Sequence, residues 1–210
     1  MDFTYFKNNL NRINSFELGG TDAQFKLAPK IRTKFTEEII HSKNPKKAAV
    51  LVLFYPDSNN KTTFLLTQRA DYNGTHASQI SFPGGKYESK DFSLENTALR
   101  ETHEEVGVLM QHVSIFKQMT DVYIPPSNFI VTPFLSTINF KPNFIKNHEV
   151  AELIHVSMAD FLNENNVSSQ VLSTSYAKNI NVPCFKLNNY VVWGATAMML
   201  SEMKELIKKL

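Results

Sequence analysis

The chain contains little cysteine, glycine or arginine, and it has no long apolar run. Cys184 is the one cysteine among 210 residues, which excludes an internal disulfide framework and a cysteine-based zinc cluster. The longest wholly apolar stretch, residues 48–54, is far shorter than the roughly 18 residues that a membrane-spanning helix needs. The first residues are polar and lack the continuous apolar segment of a signal peptide. We therefore expect a cytoplasmic protein with no membrane partner.

Neither sign of charge dominates the sequence. Lys and Arg number 22 and Asp and Glu number 20, so the formal net charge is +2. Proteins that hold long nucleic acids by bulk charge are usually strongly basic, so this balance argues against a nucleic-acid partner. Hydrophobic residues make up 42% of the chain, which is enough to bury a core and argues against global disorder.

The pattern of apolar residues divides the chain into two parts. Residues 1–45 are polar with helical patches, and we predict that they form an N-terminal extension that packs on the rest of the protein. Short strand-like runs begin at residue 46, so residues 46–210 are predicted to form the main domain. Strands interrupted by a few helices favour an α/β domain with helices on both faces of a sheet.

Three predictions of local secondary structure rest on weaker sequence patterns. Residues 31–40 could form a short helix within the extension. Pro133 is expected to mark a bend or an edge, with separate strands over 129–135 and 136–140. Residues 182–192 look like one strand-like run.

Residues 94–106 predict a helix that carries three glutamates on one face. At about 100° per residue, Glu101, Glu104 and Glu105 fall within an arc of roughly 100°, immediately beside the apolar stripe. Arg100 precedes Glu104 by four residues, which is within ion-pair reach on a helix. The acidic face therefore borders the predicted core instead of pointing away from it.

Carboxylates crowded on one face repel each other unless a cation neutralises them. Oxygen ligands at this density suit Mg²⁺ or Mn²⁺ better than zinc, and such an ion can polarise a phosphoryl group and acidify a bound water. Upstream, Gly84 and Gly85 would let the backbone approach a ligand closely and could face a phosphate. Gly107 stands where a left-handed helix cap is expected. The alternative for an acidic cluster alone is a solvated helix face.

Residues 85–108 resemble the Nudix box, in which a glycine and an acidic residue precede Arg-Glu and Glu-Glu pairs and a closing glycine. The matching positions are Gly85, Asp91, Arg100, Glu101, Glu104, Glu105, Gly107 and Val108. Asp91 stands where glutamate is commoner, and eight residues instead of seven separate it from Arg100. Thr102 replaces the usual aliphatic residue, but the segment RETHEEVGV keeps its spacing.

The preceding segment, LLTQRADYNGTHASQISFPGG, resembles the signature of coenzyme A diphosphatase-type Nudix proteins. His76 fits the spacer of that signature loosely, and the usual glycine before the strand is absent. The resemblance implies an α/β/α sandwich with a mixed sheet. It also implies that Mg²⁺ or Mn²⁺ supports hydrolysis of coenzyme A or its derivatives to 3′,5′-ADP and 4′-phosphopantetheine or its acyl form. The alternatives are another nucleotide substrate (ADP-ribose, NADH or a dinucleotide polyphosphate) and a nucleotide-sensing module without turnover.

The resemblance implies roles for the residues of the acidic helix. Glu101 and Glu105 are the first candidates for metal ligands. Glu104 is a further candidate ligand or the base for water, with a simple ion pair to Arg100 as the alternative. Arg100 is expected to orient the glutamates, and Asp91 to tie the loop.

Residues outside the helix are also assigned roles. Gly84, Gly85 and Arg69 are candidate substrate-binding residues, although Arg69 could instead pair with an acidic side chain. Glu149 is a candidate general base, with a surface glutamate as the competing interpretation. Trp193 is expected to belong to the core and not to serve as a stacking platform. A homodimer is left open by the sequence.

Overall fold

The computed structural model describes residues 1–70, 79–172 and 179–210. Within these ranges an eight-stranded mixed sheet is joined by a smaller three-stranded antiparallel sheet. The strands of the large sheet are β1 (Lys46–Pro56), β2 (Thr62–Arg69), β3 (Ile80–Ser81), β4 (Gly84–Lys86), β5 (Ser114–Gln118), β6 (Val122–Ile124), β7 (Phe129–Thr137) and β8 (Val150–Ser157). The strands of the small sheet are β9 (Val167–Leu172), β10 (Ile180–Leu187) and β11 (Tyr190–Trp193). The α-helices are α1 (Phe3–Asn8), α2 (Leu10–Ser15), α3 (Gly20–Phe25), α4 (Glu37–Ser42), α5 (Leu94–Val106), α6 (Met158–Leu162) and α7 (Gly194–Ile207). None of these helices is long and apolar enough to cross a membrane.

The large sheet is organised around β1 and β7, which run parallel to each other. On its other side β1 pairs antiparallel with β2 at one end and with β4 at the other. A strand that is covered on both faces has a nearly continuous apolar sequence. This explains why residues 48–54 are all apolar. The prediction of an α/β domain with helices on both faces of a mixed sheet is confirmed.

Side chains along β1 alternate between two cores, as expected for a strand with a period of two. Val52 and Phe54 belong to the larger core, which also contains residues of α7 and of the N-terminal helices. Leu51 and Leu53 belong to a smaller core together with Ala98 of α5. Helix α5 therefore packs against one face of the sheet through this smaller core.

The N-terminal helices are attached to the rest of the chain by apolar packing. Phe3, Phe6 and Ile13 are buried in the larger core, and they follow the helical spacing visible in the sequence. The rings of Phe6 and Phe54 lie 4.8 Å apart between centroids. Helices α1 and α2 pack on the sheet through these side chains.

A buried carboxylate fixes α3 against α7. Glu202 is fully buried, and its oxygens accept hydrogen bonds from the Gly20 amide (2.9 Å), the Gln24 side chain (3.3 Å) and the Thr120 hydroxyl (2.6 Å). Burial raises the pKa of the Glu202 carboxyl above its ordinary value. A buried polar group is tolerated only when it is hydrogen-bonded, so this network ties three segments of the chain together.

Three local predictions were wrong. Residues 31–36 are not helical, because α4 begins only at Glu37 with Thr36 as its N-cap. Pro133 lies inside the single strand β7, between the segments that pair with β6 and with β5, so its missing N–H interrupts neither pairing. The run 182–192 is divided by a two-residue turn whose residues, Asn188 and Asn189, have left-handed φ angles of 49° and 66°.

Candidate active site

Helix α5 has the bounds that its sequence predicts. The Ser93 side chain accepts a hydrogen bond from the Asn96 amide at 3.1 Å, which satisfies one of the free amides of the first turn. At the other end Gly107 adopts a left-handed φ of 74°. The buried stripe includes Ala98 and Val106, which are both fully buried. This packing turns the acidic face toward the edge of β4.

The glycine pair brings the backbone of β4 against the glutamates of α5. Gly84 has a φ of 150°, and a Cβ there would lie 2.3 Å from the carbonyl oxygen of Ala49. A Cβ on Gly85 would lie 2.5 Å from the carboxyl carbon of Glu101. The Gly84 amide also donates a hydrogen bond to Oε2 of Glu105 at 3.1 Å. Only glycine permits so close an approach at these two positions.

The Arg100 guanidinium lies at the centre of the acidic cluster. Its Nε and Nη2 donate to the two carboxylate oxygens of Asp91 at 2.6 and 3.0 Å. Its Nη1 donates to Glu101 at 2.9 Å and to Glu104 at 3.0 Å. A rigid guanidinium fork is suited to such paired contacts, so Arg100 fixes the orientation of both glutamates.

Asp91 binds the Arg100 guanidinium through both of its carboxylate oxygens. Its carboxylate is buried, and it also accepts hydrogen bonds from the Thr97 hydroxyl and the Glu88 amide, each at 2.9 Å. The Arg100 guanidinium holds the pKa of Asp91 well below its usual range. The aspartate therefore closes the loop before α5 onto the helix, as its structural interpretation predicts.

The three glutamates stand in different environments. Glu105 is buried, and burial raises the pKa of its carboxyl to about 7. Glu101 is partly buried, and burial likewise raises the pKa of its carboxyl above the ordinary value. The side chain of Glu104 is 48% exposed and faces solvent. Anionic oxygens that have lost part of their hydration are suited to a cation partner.

The donor set at this site fits a hard divalent cation. The side-chain donors are all carboxylate oxygens, and the Gly85 backbone lies against one of them. Across the described ranges, however, no three His, Cys, Asp or Glu side chains are already arranged as a metal cage. In this arrangement the Arg100 guanidinium forms ion pairs with Glu101 and Glu104.

A cavity of about 770 Å³ opens beside the acidic face. Arg69, at the end of β2, and Glu149, just before β8, both line it. Their side chains form an ion pair at 3.1 Å, which agrees with the alternative in which Arg69 pairs with an acidic residue. The structure thus brings the predicted substrate-binding residues, the candidate metal ligands and the candidate base to one cavity. The residues of this group that line it are Arg69, Gly84, Gly85, Arg100, Glu101, Glu104, Glu105 and Glu149.

The cavity also contains residues that the sequence did not assign to it. Trp193, expected in the core, is only partly buried and lines the cavity at the start of α7. Residues 29–35 of the extension form another part of the wall, and no sequence signal indicated this position. His76 belongs to the signature segment but lies outside the described residues.

Comparison with known proteins places the chain in a family. The NUDIX domain model matches residues 45–173. Two proteins named "Uncharacterized Nudix hydrolase NudL" are each 31% identical to the chain over 161 residues, covering 76% of the chain and 79% of the relative. One is from Yersinia pestis (strain Pestoides F) and the other from Yersinia pseudotuberculosis serotype O:1b (strain IP 31758).

Solved structures share the fold at low sequence identity. The Nudix hydrolase RenU from M. smegmatis has a TM-score of 0.55 at 17% identity, covering 88% of this chain and 94% of RenU. A MutT/nudix family protein from Enterococcus faecalis has a TM-score of 0.53 at 15% identity, covering 99% of this chain and 75% of that protein. These matches confirm the predicted Nudix-type fold. With the glutamates of its box gathered at one cavity, the chain belongs to the Nudix family and is a Nudix hydrolase.

Proposed function

We propose that the protein hydrolyses the diphosphate bond of coenzyme A or its derivatives, giving 3′,5′-ADP and 4′-phosphopantetheine or its acyl form. The observation that carries this proposal is the convergence of both sequence signatures on one cavity. Arg69 comes from the coenzyme A-type segment, Glu101 and Glu105 come from the box, and Gly84 and Gly85 lie between them. A volume of about 770 Å³ is within the range of cavities that bury a sizeable small molecule.

The proposal includes a divalent cation, Mg²⁺ or Mn²⁺, held by Glu101 and Glu105 with Glu104 as a further ligand. When bound, such an ion supplies charge neutralisation for the diphosphate and lowers the pKa of water. Arg100 orients Glu101 and Glu104 from the protein side and is itself held by Asp91.

The remaining groups bind the substrate and move the proton. The cationic side chain of Arg69 contacts a phosphate oxygen, and the Gly84–Gly85 backbone forms the wall against which the phosphate lies. Water attacks phosphorus, the bridging P–O bond breaks, and the oxygen of the leaving phosphate keeps the electron pair. A carboxylate oxygen of Glu149 accepts the proton from the attacking water. Glu104 is the alternative base.

A substrate panel tests the proposed reaction. The protein is incubated with Mg²⁺ or Mn²⁺ and with coenzyme A, ADP-ribose, NADH or a dinucleotide polyphosphate, and the products are resolved by mass. We expect 3′,5′-ADP and 4′-phosphopantetheine to appear from coenzyme A. Turnover of ADP-ribose with coenzyme A left intact would show that the coenzyme A assignment is wrong. Binding without turnover of any of the four would favour a nucleotide-sensing module.

The same assay separates the two candidate bases. In Glu149→Gln the side chain keeps its size but loses its negative charge, so kcat should fall by about 10²–10⁴-fold if it is the base. Glu104→Gln should then have a smaller effect on kcat. The reverse order of the two effects would contradict the assignment of Glu149 as the base.

A further inference from the structure

Part of the cavity wall comes from the N-terminal extension, outside the region matched by the family model. We call residues 29–35 the arm. Five of its members line the cavity, whereas the family model begins at residue 45. The arm residues at the cavity are Pro29, Ile31, Arg32, Thr33 and Phe35. The part of the cavity that they form is therefore a feature of this chain's extension and not of the box.

The arm is fixed to the domain at several points. The Arg32 guanidinium donates a hydrogen bond to the carbonyl oxygen of Tyr123. The Phe35 ring packs edge-on against the Tyr123 ring, with the centroids 5.8 Å apart, and the Lys43 ammonium lies 5.5 Å from the centre of the Phe35 ring. Just upstream, α3 is anchored by buried Glu202. These contacts give the arm a defined position at the cavity.

The arm side of the cavity carries several apolar side chains beside Arg32 and Thr33, whereas the box side is charged. Ile31 is 59% exposed although it is a large aliphatic side chain. Ile124 at the end of β6, Pro125 after it and Phe129 at the start of β7 line the cavity with it, as does Trp193. A diphosphate group gains nothing from contact with these apolar side chains. An exposed apolar surface next to a charged site is typical of a position that binds the apolar part of a ligand.

We propose that the arm, with Ile31 as its principal contact, binds an uncharged apolar chain carried by the diphosphate substrate, and that the arm thereby selects among substrates. This inference rests on the proposed function, because it assigns the non-nucleotide end of the substrate to the arm side. Each methylene that becomes buried against Ile31 should increase kcat/KM by about fourfold at most. The preference for a substrate therefore increases with the length of its apolar chain.

The test compares free coenzyme A with its acetyl and butanoyl thioesters. In the wild-type protein, kcat/KM should be about tenfold higher for the butanoyl than for the acetyl compound, because two more methylenes are buried. Ile31→Ser should remove most of this ratio while leaving the value for free coenzyme A within about threefold of wild type, and Ile31→Leu should retain the ratio. The matched control is Ile39→Ser, since Ile39 is 45% exposed in the same extension and does not line the cavity.

A binding measurement separates this inference from the proposed function. Trp193 is the one tryptophan of the sequence and lines the cavity, so its fluorescence reports ligand binding without turnover. If no thioester is hydrolysed but the butanoyl compound binds more tightly than free coenzyme A, and Ile31→Ser abolishes the difference, the arm inference stands and the proposed function fails. If the thioesters are hydrolysed with the same ratio in wild type and Ile31→Ser, the arm inference is wrong. Absence of both binding and turnover would overturn both.

Discussion

At the scale of single residues, the site depends on how differently three neighbouring glutamates are solvated. Glu105 is buried against the Gly84 amide, Glu101 is partly buried, and Glu104 faces solvent. The sequence places all three on one face, but it cannot assign different degrees of burial to them. Packing of α5 against β1 and β4 decides which carboxylate loses its water.

The first prediction concerns Glu105. Glu105→Gln keeps the shape of the side chain and removes its charge, so a metal ligand is lost without opening a cavity. We expect coenzyme A hydrolysis to fall by at least about 100-fold, while the thermal midpoint changes little or rises, because a partly desolvated anion has been removed. The matched control is Glu95→Gln, an exposed glutamate on the same helix that does not line the cavity. Unchanged turnover in Glu105→Gln would contradict the proposed metal role.

The second prediction concerns the pH dependence of stability. Because the pKa of Asp91 is lowered in the folded state, the ionised side chain stabilises the fold above its ordinary pKa of 3.8. This contribution is lost as the pH falls below that value toward the lowered folded pKa. Asp91→Asn should therefore be less stable than wild type at neutral pH, and the difference between the two should shrink on acidification. Urea denaturation at a series of pH values measures this difference in stability. A difference that increased toward low pH would contradict the lowered pKa of Asp91.

At the scale of secondary structure elements, local signals predicted α5 well and the strands less well. The helix is bounded by a serine cap and a glycine cap that act within a few residues, so its limits follow from the sequence. The predicted division of β7 after residue 135, with Pro133 at a bend or edge, is wrong, because whether a proline is tolerated depends on which neighbours pair beside it. The turn at Asn188 and Asn189 was missed because asparagine signals a left-handed turn less strongly than glycine does.

The third prediction contrasts the two glycines of β4. In Gly85→Ala the new methyl group would displace the flexible carboxylate of Glu101, so activity should fall by about tenfold or more with a modest loss of stability. In Gly84→Ala the methyl group meets backbone atoms of Ala49 and Val50, and φ is 150°, so we expect a loss of about 2 kcal/mol or more in the free energy of unfolding. Paired measurements of turnover and urea denaturation check this contrast. Equal effects of the two substitutions on stability would show that the close contact at Gly84 is relieved by movement of the backbone.

At the scale of the whole molecule, the extension and the matched domain share one core. Helix α1 contributes Phe3 and Phe6 to it and α2 contributes Ile13, α3 is tied to α7, and the arm reaches the cavity. The division into an N-terminal extension (residues 1–45) and a Nudix domain (residues 46–210) remains a proposal based on the sequence. Their shared core argues that the two parts unfold together.

The fourth prediction tests how the extension is anchored. Glu202→Ala removes the carboxylate that accepts hydrogen bonds from Gly20, Gln24 and Thr120 in a buried to partly buried position. We expect a loss of about 2–4 kcal/mol in the free energy of unfolding, measured by urea denaturation. Glu202→Gln keeps one acceptor oxygen and should lose less. A stability equal to wild type in Glu202→Ala would mean that water replaces the carboxylate and that the anchor contributes little.

The sequence by itself determined the mixed α/β class, the limits of α5, the acidic face and the membership of the Nudix family. These features follow from short-range periodicity, helix caps and a fixed spacing of residue types, all of which involve residues that are close together in the sequence. Only the tertiary structure decided that Arg100 lies between two glutamates while Asp91 holds it, and that the arm lines the same cavity. Such contacts depend on how distant segments pack against one sheet, and the burial that sets the pKa of Glu105 arises only when those segments come together.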